Sequence, residues 1–313
     1  MSDARGPLHP AVKGFFEMML ASRAQRVLEA GPLRAGFAPL EQLLNADAPA
    51  TAVDSEIRIP GPAGSLRARV FAPRSGGPAL PVLLYIHGGG FVVMSPESHA
   101  KLTKQLALGA GVIVVSLEYR LSPEAPYPGP LDDCVAAFRW LRKHAGELGG
   151  DPARIAVGGD SAGGNLSAAT ALRLLAAREA PPEAALLICP WTDLADATPS
   201  FRRLGPDDAV IDDGIMEFFR GAYAPKPEQW ADPFVSPLRA DLEGFPPSCV
   251  IVGEIDPLCD DGVRFAERVR KAGGNAELHS YAGMPHDFMI FLPIEESQAS
   301  LRAMFGFLQQ VLK

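Results

Sequence analysis

No C-x-x-C pair occurs in this sequence, and its four cysteines, Cys134, Cys189, Cys249 and Cys259, stand far apart with no histidine at ligand spacing. That pattern argues against a zinc site and a disulfide framework, and reduced core thiols are expected. No run approaches the ~18 apolar residues that span a bilayer, and the N-terminal MSDARGP has no apolar signal-peptide core. A soluble cytoplasmic protein without stable membrane insertion is expected. Basic residues are in deficit, 29 Lys and Arg against 37 Asp and Glu, and no cluster of them offsets the net charge of -8. A nucleic-acid partner is therefore not expected. Internal repeats and low-complexity tracts are absent as well. No frame supplies G-x-G-x-x-G or Gly-Lys-Ser/Thr, so the glycine-rich stretches lack the pattern of a dinucleotide or phosphate loop.

What is present suits one α/β domain over residues 1–313: 47% of the residues are apolar, enough for a sizeable core. From Ala11 to Glu29 apolar residues recur at three and four, the stripe of an amphipathic helix, which Gly31-Pro32 is expected to stop. This helix packs on a core and could lie over a pocket as a lid. Alternation from Ala52 to Pro73 around Pro60 to Gly64 reads as two strands and a turn. Next comes Pro81 to Ile86, continuously apolar like a strand of a parallel sheet. Strands are then expected at 112–118, 155–157, 184–189, 249–253 and 276–281, with helices at 131–144, 162–178, 262–272 and 298–312. Such alternation predicts a mainly parallel sheet with helices on both faces. The segment from Trp191 to Leu242 interrupts it with Asp, Pro and a short helix near Ile215 to Tyr223, and insertions of that length are usually functional.

Ser161 sits where the strand 155–157 turns into a helix, flanked at two residues' distance by Gly159 and Gly163. Such a turn holds the serine in a strained conformation, presents its hydroxyl, and leaves no room for a Cβ on either side. It also aims the amide of Ala162, at a helix N-terminus, toward an oxyanion formed at Ser161. His87-Gly88-Gly89-Gly90 directly follows a buried strand, and bare backbone amides there suit an oxyanion hole. His87 itself is expected to be structural, bonding the loop's backbone.

A serine nucleophile needs a base near neutrality and a carboxylate to fix that base's tautomer. Among six histidines, His286 lies in a loop just after the last strand, where α/β sites gather. Asp256 follows the strand 249–253, with Glu254, Asp260 and Asp261 as rivals. The order Ser161, Asp256, His286 is the nucleophile, acid, base order of α/β hydrolases.

These stretches together resemble the hormone-sensitive-lipase-like family of α/β hydrolases. The likeness rests on HGGG at 87–90, EYRLSPE at 118–124 with Tyr127-Pro128, GDSAGGNL at 159–166, DPFVSPL at 232–238, Asp256-Pro257-Leu258 and Pro285-His286. The resemblance implies the α/β-hydrolase fold and a triad of Ser161, Asp256 and His286. It further implies an oxyanion hole from the amides of Gly88, Gly89 and Ala162, and a helical cap built from about 1–50 and about 191–242. Three positions depart from the family's pattern: Glu118 for Asp, Ser122 for Ala, and Asp287 where a glycine often follows the histidine. Asp287 is expected to point to solvent; brought close, its carboxylate would raise the pKa of His286.

The expected activity is that of a serine carboxylesterase acting on a small-molecule ester, short to medium in chain length as the resemblance implies, with no metal and no cofactor. Its pocket is expected to be apolar, with Phe15, Phe16, Phe91, Met216 and Phe219 as candidate lining. An amidase or lactonase would use the same machinery. A receptor on a hydrolase scaffold is a further alternative, although the gibberellin receptors that resemble this family lack the catalytic histidine that His286 supplies. A homodimer through a sheet edge at Ala276 to Tyr281 is a candidate assembly.

Overall fold

Strands that are apolar on both faces must be covered on both sides, and that demand organises the chain. The structure is a computed structural model and describes residues 8–23 and 26–313. Eight strands form one sheet: β1 (Val53–Gly61), β2 (Gly64–Ala72), β3 (Leu80–Ile86), β4 (Ile113–Glu118), β5 (Gly150–Asp160), β6 (Ala185–Ile188), β7 (Ser248–Gly253) and β8 (Ala276–Tyr281). Their spatial order is β1-β2-β4-β3-β5-β6-β7-β8. The β1–β2 hairpin pairs antiparallel onto β4, and all later neighbours are parallel.

The described residues also form ten α-helices: α1 (Pro10–Arg23), α2 (Ala30–Leu44), α3 (Ala100–Ala110), α4 (Gly129–His144), α5 (Ala162–Ala176), α6 (Pro199–Leu204), α7 (Asp213–Tyr223), α8 (Cys259–Lys271), α9 (Phe288–Phe291) and α10 (Glu295–Val311). Alternate residues of β3 serve the two faces. Val82, Leu84 and Ile86 join Phe138 of α4, Leu166 of α5 and Phe265 of α8, whereas Leu83 and Tyr85 join Leu106 of α3 and Met304 of α10. Each such side chain, fully buried, contributes about 1.5–3 kcal/mol, so the two layers hold the sheet rigid beneath whatever its loops carry.

The chain leaves β3 toward β4 on one side, and β5 lies on β3's other side. At that divergence the carboxyl ends of two neighbouring parallel strands open a crevice, the usual site of an open α/β sheet. The loop after β3 begins at His87 and the turn after β5 holds Ser161.

The N-terminal helix expected over 11–29 is shorter than that, and a second helix begins at Ala30. The described part of the first ends at Arg23, and Gly31-Pro32, expected to stop it, lies in the first turn of α2. Proline is tolerated there because the amide it lacks would have no intrahelical partner. The segment between β6 and β7, which pair in parallel, carries α6 and α7. Asp212 caps α7 through the amides of Gly214 and Ile215, and its carboxylate also accepts from Arg26 at 2.7 Å and Arg23 at 3.1 Å. One carboxylate thus ties the α1 side to the inserted segment. No helix of the described residues is long and apolar enough to cross a membrane.

Candidate active site

Ser161 adopts φ 52° and ψ -117°, the conformation a strand must take to reverse into α5 within one residue. The crowding expected at the flanking glycines is present. A Cβ on Gly163 would fall onto the carbonyl oxygen of Ile86, and one on Gly159 would meet that same oxygen and the backbone of Gly163. The turn is therefore pressed against the end of β3, and only glycine fits.

His286 stands in the loop between β8 and α9, with Nε2 3.0 Å from Ser161 Oγ and Nδ1 2.9 Å from Asp256 Oδ2. Asp256 is fully buried, and its other oxygen accepts the Leu258 amide at 2.8 Å. Of its rivals, Asp261 accepts the amides of Thr192 and Asp193, and Asp260 that of Ser200. Both brace the inserted segment instead. A hydroxyl, an imidazole and a carboxylate in this line can pass a proton off the serine and hold the imidazolium that results.

The amides of Gly88 and Gly89 donate to no backbone or side-chain acceptor among the described residues. Ala162 is the first residue of α5, where an amide has no intrahelical acceptor. Gly89 has φ 101°, and a Cβ there would collide with the Val93 carbonyl, so this backbone conformation is closed to other residues. His87 is structural, as expected: fully buried, its Nδ1–H donates to the Gly88 carbonyl at 2.8 Å and its ring stacks on Tyr119. Burial, with His99 nearby, lowers its pKa to about 3 and keeps it neutral.

The profile of the α/β hydrolase fold family matches residues 83–290. The ethyl acetate hydrolase of Pseudomonas putida is 35% identical over 317 residues, spanning 97% of this chain and 99% of its own. The chain belongs to the hormone-sensitive-lipase-like α/β hydrolases. Carboxylesterase NlhH of Mycobacterium tuberculosis is 40% identical over 228 residues, 71% of either chain. Among solved structures, the hyperthermophilic esterase of the archaeon Pyrobaculum calidifontis matches with a TM-score of 0.93 at 34% identity, over 97% of this chain and 98% of that one.

In this hydrolase Asp287 does not point to solvent. It is buried, in the left-handed conformation (φ 50°), with Oδ2 3.2 Å from Nε2 of His286. The reason is local: the positive φ turns its side chain back under the imidazole instead of outward along the loop. Burial on its own would lower the pKa of His286, but Asp256 first and Asp287 second outweigh it and drive it to about 10.

Beneath the turn lies a network to which no sequence motif points. Asp160 accepts from the Tyr85 hydroxyl at 2.6 Å and pairs with His99 Nε2 at 3.0 Å. A Cβ on Gly88 would strike the Asp160 carboxylate, so that loop also rests on it. The signal was available as an acidic residue beside the serine and a histidine opening a helix. Neither has a periodicity to betray it.

The candidate pocket residues divide. Phe91, Met216 and Phe219 share one cluster, with Phe219 against Gly90 and Phe91 stacked on Tyr223 at 3.8 Å. Phe15 and Phe16 belong to the other cluster, with Phe288, Met289 and Met304, because the apolar stripe of α1 faces α9 and α10. Phe15 stacks on Phe291 at 5.2 Å and lines a cavity of about 760 Å³ together with Met19, Leu108 and Phe305. Neither Ser161 nor His286 borders that cavity. The reacting groups, not the volume, locate the chemistry.

Donor atoms of Cys189, Asp256 and His286 converge within 4.8 Å of one another. Asp256 and His286 are bonded to each other, His286 turns its second nitrogen to Ser161, and burial pushes the Cys189 thiol well up. That arrangement fits a proton relay and not a metal site.

Proposed function

We propose that this protein is a serine carboxylesterase in which Ser161 is the nucleophile, His286 the base and Asp256 the carboxylate that orients it. The Ser161–His286–Asp256 line, with contacts of 3.0 and 2.9 Å, is the observation that carries this assignment. Ser161 Oγ attacks the ester carbonyl as Nε2 of His286 takes its proton. The tetrahedral oxyanion is bound by the amides of Gly88, Gly89 and Ala162, one such donor being worth roughly 3 kcal/mol. Collapse breaks the bond to the alkoxy oxygen, which leaves as the alcohol with the proton from His286. Water, deprotonated by His286, then attacks the acyl carbonyl, releasing the carboxylic acid and restoring Ser161. An amide or lactone would follow the same course.

The cap is formed by the described residues between 8 and about 50 with the segment 191–242, residues 1–7 and 24–25 of the expected cap lying outside the described residues, and the ion pairs of Arg23 and Arg26 with Asp212 support this division. Ser161 and His286 are 7% and 3% exposed beneath it, which supports an acyl site closed to long chains. A cytoplasmic setting accords with four unpaired thiols, and dimerisation would use β8, an edge strand paired on one side only. The test is hydrolysis of p-nitrophenyl esters from acetate to palmitate by wild type and Ser161→Ala. Turnover of the shorter esters, lost in the variant by orders of magnitude, is expected. Fastest turnover of palmitate would overturn the short acyl site, and an active Ser161→Ala would overturn the nucleophile.

A further inference from the structure

Nε2 of His286 has two oxygen neighbours at nearly the same distance, Ser161 Oγ at 3.0 Å and Asp287 Oδ2 at 3.2 Å. Only the first belongs to the relay. Asp287 is 6% exposed, and its other oxygen, Oδ1, is buried without a hydrogen-bond partner among the described residues. A buried carboxylate left half satisfied is costly, so its one polar contact matters to its state.

Only the contact to Ser161 has the direction of a hydrogen bond; Asp287 approaches Nε2 from the side, as a charge. A buried negative charge at that distance favours the protonated imidazole, whose nitrogen cannot accept from Ser161. We propose that Asp287 is a positioning residue of this reaction, whose buried carboxylate beside Nε2 holds the proton on His286 and so decides when the nitrogen becomes free for Ser161. The assignment rests on His286 being the base.

The surrounding charges favour retention of the proton. His286 faces Asp256 from the β7–α8 loop, Cys189 from the end of β6, and more distantly Asp208 from the inserted segment. Asp287 faces His286, Asp160 with its partner His99, Asp256, and the hydroxyl of Tyr85. Only His99 and His286 can bring positive charge against three carboxylates. Burial, with Asp160 and Asp256, raises the pKa of Asp287 itself against the opposing pull of His286 and His99. Losing the proton on His286 leaves a buried, unpaired carboxylate beside a nitrogen lone pair. The same carboxylate stabilises the imidazolium formed as Ser161 attacks, so it delays the base at low pH and assists it at high pH.

The test replaces Asp287 by Asn and by Gly. Both residues tolerate positive φ, and the Asp287 side chain caps no helix amide, so both variants are expected to fold. The acid limb of kcat/KM for p-nitrophenyl butyrate and the titration of the His286 ring by NMR, assigned with His286→Gln, are measured together. In both variants the limb and the ring titration are expected to fall by about one pH unit or more, a tenfold change in proton affinity. A limb and a titration that stay within about 0.3 unit of wild type would overturn the proposal. If wild type hydrolyses no ester while the ring titration still falls, the hold of Asp287 on the His286 proton stands and the esterase assignment fails.

Discussion

His99 Nε2 lies 3.0 Å from Asp160 Oδ2, with both side chains 1% exposed, one residue along the chain from Ser161. Burial alone would lower the pKa of His99, but Asp160 outweighs it and raises it; burial alone would raise Asp160, but His99 outweighs it and lowers it. The signs give a window. The contribution of Asp160 is complete above the unfolded carboxylate value and is lost as pH falls through its depressed folded value. That of His99 is complete below the unfolded histidine value and is lost as pH rises through its raised folded value. We expect His99→Ala to cost about 3–5 kcal/mol near neutrality, because it strands a buried carboxylate, and to cost less in alkali. Urea unfolding across pH measures this, and a loss that does not vary with pH would contradict it.

Asp256 accepts from both His286 and the Leu258 amide, so Asp256→Asn should preserve the fold while offering His286 the wrong tautomer. A fall in kcat of roughly 10⁴ with KM changed little is expected. Steady-state kinetics on a short ester will show it, and a fall of less than about tenfold would remove Asp256 from the relay.

Glycines of this chain differ in what a methyl group would meet. At Gly163 it would meet the Ile86 carbonyl, backbone that cannot yield, and at Gly89 it would meet the Val93 carbonyl at a φ of 101°. Gly163→Ala should distort the turn and abolish activity, and Gly89→Ala should lower kcat by about 10²–10³ through loss of an oxyanion donor. In α10, by contrast, nothing lies within 4 Å of a Cβ on Gly306. Gly306→Ala is expected to stabilise by about 0.4–1 kcal/mol at unchanged activity, read from paired melting curves and rates.

Arg34 of α2 donates to the carbonyls of Val92 and Ser122 and pairs with both oxygens of Glu124. Glu124 is 62% exposed, so Glu124→Ala should cost under about 1 kcal/mol. Arg34→Ala removes the donors of two carbonyls and should loosen α2 locally. Hydrogen exchange of residues 30–44 is expected to accelerate in Arg34→Ala and hardly change in Glu124→Ala; equal effects would assign the anchorage to the ion pair.

Local rules carried much of this fold into the sequence. The 53–72 hairpin, the parallel strands and the turn at Ser161 follow from alternation, apolar runs and glycines that structure leaves no room to replace. Where a boundary depended on context, local rules failed: Gly31-Pro32 looks the same ending one helix as opening the next. Asp287 departs from its expected outward direction for a related cause. Its direction is set by a single positive φ, which the residue type permits without announcing. The Asp160–His99 pair joins positions 61 residues apart through the sheet, and no local pattern reports a partner at that range.

During turnover an acyl group is expected to rest on Ser161. Intact mass and peptide mapping of the enzyme quenched in acid during hydrolysis of a p-nitrophenyl ester test it most directly. One acyl increment on the tryptic peptide Ile155–Arg173, absent in Ser161→Ala, is the expected result. Turnover with no adduct, or with an adduct on any other peptide, would contradict it.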